Sequence, residues 1–532
     1  MNNKEAYLRR DIIVEPLFNQ WHAWPYLIPP ATAAMYITNS HLRIMQSFVS
    51  APQIHVAALK NPAMLGGPFL NYDPAKVDDI KKLVDKTTKE HAPMLEFAEA
   101  VKTLSEILAT EAKGHSLESL YQKAPDVLKG YVELVYDLNN NPSIRFIEGL
   151  LYKSKYYNPA SQSVSLSRLN GDGRPFVFST PRIDCVASLN LRLPFDHPGL
   201  DELFKMKYTP QRLGYLCELL NLPEEHENRF YSFFTDEPPE TRTPYHTDEA
   251  RIRYLGHACI LIETKDVSIL CDPIVSYQNE GGISRYTYAD LPESIDYALI
   301  THCHQDHVVF ETLLQLRHKI KNVIVPRSAG GNLLDPSLKL ILQAIGFANV
   351  REINEMETIE VANGFIMGVP FLGEHADLDI KTKMAYLIKI KGNSLLLVAD
   401  SNNLESRLYE HLHELTGDID ILFIGMECEG APMSWLYGPL LTKPLSRKDD
   451  QSRRFDGSTC QRGIAMVDIL RPKEAYVYAM GQEPWCAFLT SIQYHDDSRP
   501  IVESNQFVES CRARGLVAER LYGQKEFVLP PK

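Results

Sequence analysis

The spacing of apolar residues changes about halfway along the chain, and the first part is rich in helical patterns. Between residues 74 and 138, the segment "MLEFAEAVKTLSEILATEA" predicts a helix whose apolar face holds Leu95, Ala98, Val101, Leu104 and Leu108. The segments "SVSLSRL" and "RPFVFST" alternate and predict short strands, whereas "TPQRLGYLCELLN" predicts another helix with a Thr-Pro start. We therefore expect a mixed α/β domain in this part of the chain.

The second part is dominated by strand patterns. "ARIRYLGHACILIET" and "VSILCDPIV" predict adjacent strands, and "MAYLIKI" and "SLLLVAD" predict a hairpin with a turn at residues 391–393. Strands then alternate with helices in "YALITH", "FETLLQLRHKI", "NVIVP", "IDILFIGM" and "AYVYAMG". This order predicts a layered α/β domain.

The two parts are separated by "TDEPPETRTPYHTDEA", Thr235 to Ala250, which is rich in proline, threonine and acidic residues and lacks an apolar period. Such a composition is typical of an exposed connection between domains. A chain of 532 residues also exceeds what one core usually supports. We therefore expect an N-terminal domain over residues 1–240 and a second domain over residues 246–532.

Charge and cysteine content narrow the possible partners. The net charge of −13 argues against nucleic acid as the main partner, because binding to phosphate needs a positive field. The nine cysteines form no CxxC pair and lie mostly in apolar runs, as expected for small core residues in a reducing compartment. No run reaches the roughly 18 apolar residues of a membrane helix, and no signal-peptide pattern is present. We expect a soluble, cytoplasmic protein.

The stretch "DYALITHCHQDHVVF" carries three histidines and an aspartate directly after a short apolar strand. His302 and His304 can point to one side of the loop, and Asp306 and His307 can reach a second metal ion beside the first. A strand end anchors such a loop, so its ligands can converge. Histidine together with carboxylate suits divalent zinc or iron. A helix cap would explain Asp306 but not three histidines, so the stretch predicts a metal site.

The motif T-H-x-H-x-D-H after a strand resembles the signature of the metallo-β-lactamase fold, an αββα sandwich with a metal cleft at one edge. The segment "YLGHACILIET…ILCDPI" is similar to the opening hairpin of that fold, with Asp272 where the family has an aspartate that supports a ligand. "LLLVADSN" has Asp400 at a strand end, where the family has its metal-bridging aspartate. The resemblance implies that such a sandwich follows a large N-terminal mixed α/β domain.

Two positions depart from the common pattern of that fold. The third-histidine position falls in "FLGEHADLDI", which offers both Glu374 and His375, and neighbours on an extended strand point to opposite sides. The last histidine should follow "AYVYAM", but "GQEPWCAF" has none, and the next histidine is His495. The site is therefore expected to have lost one imidazole. With Glu374 it would have three carboxylates, an oxygen-rich set that favours iron over zinc.

This altered pattern resembles the di-iron β-hydroxylases of nonribosomal peptide biosynthesis, a branch that has the metallo-β-lactamase fold. The resemblance covers residues 251–400 in sequence and the N-terminal part only in layout. In that branch the glutamate of the "GEH" segment binds iron. The resemblance therefore implies the metal ligands His302, His304, Asp306, His307, Glu374 and Asp400. His375 remains the alternative ligand or a supporting residue, like Asp272.

The same resemblance implies an O2-dependent monooxygenase that hydroxylates the β-carbon of an amino acid held as a thioester on a carrier domain. Its cofactors would be two iron ions with an oxo or hydroxo bridge, O2 as co-substrate and an external electron donor. Its partners would be the carrier (thiolation) domain of a nonribosomal peptide synthetase, an electron-transfer protein and a second copy of the chain. The N-terminal domain would cover the active site and form the dimer.

Carrier proteins are usually acidic, so a docking surface needs local positive charge. The segment "LSRKDDQSRRF" concentrates Arg447, Lys448, Arg453 and Arg454, although a solvated loop would explain it too. Trp435 and Trp485 are candidates either for a substrate pocket or for core packing. The enzymatic alternative is a zinc hydrolase of the same fold, acting on a lactone, thioester or phosphodiester. A scaffold that has lost catalysis is disfavoured by the intact histidine-rich motif.

Overall fold

The computed structural model describes residues 5–240, 244–279 and 281–532. Residues 241–243, inside the connection expected between the domains, and the first four residues lie outside the described part.

The N-terminal part mixes small sheets with helices. Its strands are β1 (Glu5–Leu8), β2 (Ile12–Phe18), β3 (Trp21–His22), β4 (Val132–Tyr136), β5 (Pro142–Phe146), β6 (Gln162–Arg168), β7 (Ser188–Leu191), β8 (Gln211–Arg212) and β9 (Phe234–Thr235). Its helices are α1 (Pro30–Tyr36), α2 (Leu42–Ser50), α3 (Pro52–Leu59), α4 (Val77–Glu90), α5 (Ala92–Glu111), α6 (Glu148–Leu151), α7 (Pro198–Lys205), α8 (Leu213–Leu219) and α9 (Glu224–Tyr231). The strands form sheets with the orders β3-β2-β6-β7, β8-β1-β9 and β4-β5. The mixed α/β expectation is confirmed.

The helical pattern in this part is confirmed, but one strand prediction is wrong. The segment predicted as a helix is α5, and its expected face is buried except for Leu95, which is half-buried. "SVSLSRL" lies in β6, whereas "RPFVFST" is an irregular segment. Pro175 lacks the backbone N–H that a strand pairing would use, and Phe176 and Phe178 line a cavity instead.

The second part is a sandwich of two sheets. Its strands are β10 (Ala250–Tyr254), β11 (Ile260–Glu263), β12 (Ser268–Cys271), β13 (Ile295–Leu299), β14 (Ile320–Pro326), β15 (Val350–Ile353), β16 (Thr358–Val361), β17 (Gly364–Val369), β18 (Ala385–Ile390), β19 (Asn393–Leu397), β20 (Ile421–Gly425), β21 (Glu474–Tyr478), β22 (Val517–Arg520) and β23 (Lys525–Leu529). One sheet has the order β15-β14-β13-β12-β11-β10-β23, and the other the order β16-β17-β18-β19-β20-β21-β22. Their inner faces share a buried apolar core.

Helices cover the outer faces of both sheets, so the expected αββα sandwich is confirmed. The helices of the second part are α10 (Phe310–Leu316), α11 (Leu338–Ala344), α12 (Arg407–Thr416), α13 (Ser434–Tyr437), α14 (Arg447–Ser452), α15 (Cys460–Leu470), α16 (Ala487–Thr490) and α17 (Arg499–Ala513). Helices α12, α15 and α17 pack on the second sheet. The predicted hairpin is β18–β19, whose turn residues Lys391 and Gly392 have φ angles of 49° and 85°.

The N-terminal part and the sandwich share one hydrophobic core. A single buried cluster contains residues of α1 and α5 together with residues of α10, α11 and the histidine-rich loop. Buried polar contacts also cross the boundary: the Arg174 guanidinium donates two 2.8 Å hydrogen bonds to the Glu311 carboxylate. The two parts therefore support each other's structure. Among the described residues, no helix is long and apolar enough to cross a membrane.

Candidate metal centre

The loop after β13 carries the histidine-rich motif. β13 pairs in parallel with β12 and β14, so the loop starts at the carboxyl edge of the first sheet. His302, His304 and His307 are buried. The ring centroids of His302 and His307 are 4.0 Å apart, and those of His302 and His304 are 4.7 Å apart. The structure thus brings the three predicted imidazoles together.

Glu374 joins two of these histidines in a first cluster. Its Oε1 lies 2.8 Å from Nδ1 of His304, and its Oε2 lies 4.0 Å from Nε2 of His302. One ligand atom of each residue lies within 4.8 Å of those of the other two. This spacing allows all three to bind one ion, because metal–ligand bonds to nitrogen and oxygen are about 2.0–2.2 Å long.

Asp400 lies between this cluster and His307. It follows β19, and its Oδ2 is 3.1 Å from Nε2 of His307 and 3.8 Å from Nε2 of His302. His302, His307 and Asp400 form a second group with ligand atoms within 4.8 Å. A carboxylate in this position can contact two ions at once.

A third group contains a histidine that the sequence analysis missed. His257, Asp306 and His307 also have ligand atoms within 4.8 Å of one another. His257 lies in the turn between β10 and β11, and its Nε2 is 3.3 Å from Oδ2 of Asp306. The available signal was a lone histidine after glycine in "YLGHACI", which has no ligand spacing of its own.

Each histidine of the loop is oriented through its other ring nitrogen. Nδ1 of His307 is 2.8 Å from Oδ2 of Asp272, which also accepts a 2.6 Å hydrogen bond from the Thr301 hydroxyl. Nδ1 of His302 is 3.0 Å from the same hydroxyl, and Nε2 of His304 is 3.3 Å from the Tyr437 hydroxyl. Such contacts fix the ring and leave the remaining nitrogen for a metal. Asp272, which the family resemblance gave as a supporting residue, makes two of these contacts.

The remaining polar atoms of the site fit a bound cation. Nε2 of His302 and Oδ1 of Asp400 are buried and have no hydrogen-bond partner in the described structure. Buried polar atoms in proteins are rarely left unpaired, so these atoms point to a ligand. The mixture of imidazole and carboxylate donors is suited to iron.

Strong electrostatic coupling accompanies this arrangement. Burial lowers the pKa of His302 well below its ordinary value, with a further contribution from His307. Burial would also lower the pKa of His307, but the carboxylates of Asp400 and Asp272 outweigh it and raise that pKa well above the ordinary value. Burial would raise the pKa of Glu374, yet its histidine neighbours hold it well below the usual range.

The "GEH" segment is a tight loop rather than an extended strand, so the expectation that its neighbours point to opposite sides is wrong. Gly373 and Glu374 have φ angles of 69° and 62°, in the left-handed region. His375 is therefore buried on the same side as Glu374. Its Nδ1 lies 2.8 Å from Oε2 of Glu374, and its ring stacks on His304 with centroids 4.5 Å apart.

A cavity of about 670 Å³ leads from the surface to the histidine-rich loop. Its wall includes Gln305, the residue between His304 and Asp306. Most of the wall comes from the N-terminal part, including a π-helical turn at Ile37–His41 between α1 and α2. Its aromatic lining consists of Trp24, Tyr36, Phe69, Phe176, Phe178 and Trp435.

Of the two tryptophans considered from the sequence, Trp435 lines this cavity, and its Nε1 donates to the Gly66 carbonyl at 2.9 Å. Trp485 is buried elsewhere, against the Arg285 guanidinium.

The basic segment expected to bind a carrier lies beside the cavity wall. Arg447 and Lys448 are exposed on α14. This helix is joined to the wall because Asp450 accepts hydrogen bonds from the backbone and hydroxyl of Ser434. Arg454 is half-buried and donates to the Gln451 amide oxygen at 3.0 Å.

Arg453 has a structural contact in addition to its charge. Its Nε donates a 2.8 Å hydrogen bond to the carbonyl of Ala376, in the loop that carries Glu374.

Comparisons with known proteins agree with this architecture. Residues 7–238 match the family described as the di-iron non-heme β-hydroxylase N-terminal domain, and residues 251–431 match the β-lactamase superfamily domain. A Streptomyces venezuelae protein, 4-amino-L-phenylalanyl-[CmlP-peptidyl-carrier-protein] 3-hydroxylase, is 38% identical over 522 residues, covering 97% of this chain and 98% of that protein. The crystal structure of CmlA, a di-iron β-hydroxylase from S. venezuelae, superposes with a TM-score of 0.93 at 38% identity, covering 99% of this chain and 100% of that one.

Proposed function

This chain belongs to the di-iron non-heme β-hydroxylases, and from that premise we propose that it hydroxylates the β-carbon of an amino acid held as a thioester on a nonribosomal peptide synthetase carrier domain. The name of the S. venezuelae relative states that its substrate is an aminoacyl group on a peptidyl carrier protein. The observation that carries the proposal for this chain is the aromatic cavity that runs from the surface to the histidine-rich loop.

We assign the metal ligands by the three clusters of the site. His302, His304 and Glu374 would hold one iron and Asp306 and His307 the other, and Asp400 would be available to both. When bound, the two irons supply the activation of O2. The protein's own groups set the charge around them: the three carboxylates offset the positive charge of the metal pair, while Asp272, Thr301 and Tyr437 keep the imidazoles oriented.

The overall reaction requires an electron-transfer partner. One oxygen atom of O2 enters the substrate as a hydroxyl group, and the other leaves as water. Oxidation of the C–H bond to C–OH provides two electrons. Reduction of both oxygen atoms of O2 to the oxidation state of water and alcohol consumes four. Two electrons and two protons therefore come from outside, and we propose that a separate redox protein delivers the electrons.

The cavity provides a path for a substrate on a long flexible arm. Its aromatic wall excludes water from an apolar side chain and can hold the β-carbon beside the loop that contains Gln305. Arg43 lies at its exposed rim on α2. The arm that links an amino acid to its carrier contains a phosphodiester, and we assign Arg43 as its contact.

The docking surface for the acidic carrier extends from Arg43 to Arg447 and Lys448 on α14. Arg43 lines the cavity, α14 is hydrogen-bonded through Asp450 to Ser434 of the cavity wall, and the three basic side chains are exposed. Arg453 and Arg454 add positive charge from half-buried positions. Charge complementarity of this kind accelerates association and weakens with salt.

We further propose that the enzyme is a homodimer formed through its N-terminal part, where the apolar side chains of Ile54 and Leu150 are exposed. Light scattering of the purified chain measures this directly. We also propose that it acts in the cytoplasm, where its nine unpaired cysteines would stay reduced.

The decisive experiment offers the reduced protein O2 and a panel of carrier-bound amino acids. We expect a mass gain of one oxygen atom on at least one loaded carrier, and very slow turnover of the same free amino acid, because carrier and arm supply remote binding energy. Metal analysis should give two irons per chain. Equal turnover of free and carrier-bound amino acid would refute carrier dependence, and zinc with hydrolysis of the thioester would favour the less supported hydrolase.

A further inference from the structure

His257 occupies a constrained position beside the candidate metal centre. It is buried and has a φ angle of 50°, in a region that residues other than glycine rarely adopt. The preceding Gly256 has a φ of 109°, and a Cβ on it would lie 2.9 Å from the Trp485 ring. The turn between β10 and β11 therefore has a demanding backbone that places one imidazole at the site.

The segment after β21 holds this imidazole at two points. The backbone N–H of Ala479 donates to the carbonyl of His257 at 2.9 Å, and the N–H of Gly481 donates to its ring Nδ1 at 3.1 Å. A nitrogen that accepts a hydrogen bond must present its lone pair. In a neutral imidazole the proton is then on the other nitrogen, Nε2.

This protonation pattern decides what Nε2 can do. Nε2 is 3.3 Å from Oδ2 of Asp306, in an alignment short of a standard hydrogen bond, and it has no hydrogen-bond partner among the described residues. A protonated ring nitrogen has no lone pair for a metal, so it acts as a donor to the carboxylate. Coordination through Nε2 would instead put the proton on Nδ1, where it would face the Gly481 N–H.

We propose that His257 is a positioning residue: its Nε2–H faces Oδ2 of Asp306 and orients that carboxylate, so that Oδ1 would be available to the second iron. The sequence predicted that the site has one imidazole ligand fewer than usual for the fold. In this proposal His257 does not replace that ligand, although it brings an imidazole to the site. This inference rests on the proposed assignment of Asp306 as an iron ligand. It goes beyond that assignment in giving His257 a role at the site without binding metal.

Two amide variants separate the two ring nitrogens. In His257→Gln, the amide N–H extends far enough to donate to Asp306, as Nε2 does. In His257→Asn, the amide oxygen can accept from Gly481, as Nδ1 does, but no donor reaches Asp306. His257→Ala removes both contacts, and His91→Ala, which deletes a buried imidazole of the N-terminal part, controls for lost packing.

The readout is iron retained per chain at graded chelator concentrations, with Mössbauer spectra to distinguish the two irons. We expect the Gln variant to behave like the wild type, and the Asn and Ala variants to bind one iron about 10- to 100-fold more weakly, the usual effect of losing a supporting contact. Circular dichroism and thermal melting check that each variant is folded.

Other outcomes overturn the inference. If Gln, Asn and Ala all lose the same iron completely, His257 is a ligand. If the Asn variant retains iron as tightly as the wild type, the contact with Asp306 does not position the carboxylate. A wild-type chain that binds fewer than two irons would overturn the metal assignment itself, and so the proposed function as well.

Discussion

Replacing Glu374 and His375 separately tests the metal assignment most directly. Both side chains are buried in the same loop, and either one could supply a third ligand beside His302 and His304. Oε1 of Glu374 is 2.8 Å from Nδ1 of His304, whereas His375 stacks on the His304 ring and reaches Oε2 of Glu374 through its Nδ1. We expect Glu374→Ala to release one iron and abolish hydroxylation, and His375→Ala to have a milder effect.

The size of each effect follows from these contacts. A structural site with four ligands binds its metal with about 10–16 kcal/mol, so the loss of one direct ligand costs roughly 3–4 kcal/mol, or about two to three powers of ten in iron affinity. Loss of a side chain that only supports a ligand costs about 10- to 100-fold in metal affinity. The two variants should therefore differ by about one to two powers of ten in the chelator concentration that removes the first iron.

The assay measures iron per chain during chelator titration, alongside hydroxylation of a loaded carrier. Glu374→Gln is the matched control for shape, since it keeps the volume of the side chain and removes its charge. If His375→Ala lost an iron at low chelator while Glu374→Ala kept both, the ligand assignment would be refuted. That outcome would also remove the oxygen-rich character of the site, on which the sequence argument for iron depends.

Three further predictions concern regions outside the metal ligands. Arg43→Glu should raise KM for the loaded carrier by about tenfold with little change in kcat, and the difference should shrink at high salt; an unchanged KM would exclude this rim contact. Burial lowers the pKa of Lys207 from 10.5 to about 7, so the unfolded state binds more protons between these pH values. The stability of the wild type relative to Lys207→Met should thus rise with pH across that window, by up to about 1.4 kcal/mol per pH unit in denaturant titrations, and a flat difference would contradict it. Limited proteolysis should cut first within residues 235–250, and the two fragments should stay associated in gel filtration because they share a core. Primary cleavage within residues 251–400 would count against this boundary.

The sequence predicted the elements whose patterns are local. β13, β18, β19 and α5 have clear apolar periods, and the histidine-rich loop directly follows a strand, so each could be located without knowledge of the fold. Asp272 and Asp400 each follow a recognisable strand, but it was the family resemblance that singled them out. The family resemblance supplied their pairing with the loop, since the pattern of one strand does not reveal which other strand ends nearby.

The predictions that failed concern contacts or backbone angles, which the spacing of apolar and polar residues does not encode. "RPFVFST" alternates like a strand because Phe176 and Phe178 face a cavity, which produces the same period as a sheet face. The "GEH" loop uses positive φ angles at Glu374, whose residue type gives no such signal. His257 was missed since its partner, Asp306, lies 49 positions further along the chain (306 − 257) and only the fold joins them.

The two parts of the chain contribute different features: the sandwich carries the candidate metal ligands, and the N-terminal part forms most of the cavity wall. The groups assigned to iron all follow strands of the sandwich, at one edge where β13, β17 and β19 end. Most of the cavity wall, by contrast, comes from the N-terminal part, including α2, the π-helical turn before it, residues 66–69 and the irregular segment that holds Phe176 and Phe178. A change in the N-terminal part can therefore reshape the space for a substrate without removing a metal ligand. Because the two parts share a core, such a change must also preserve the packing that holds the histidine-rich loop in place.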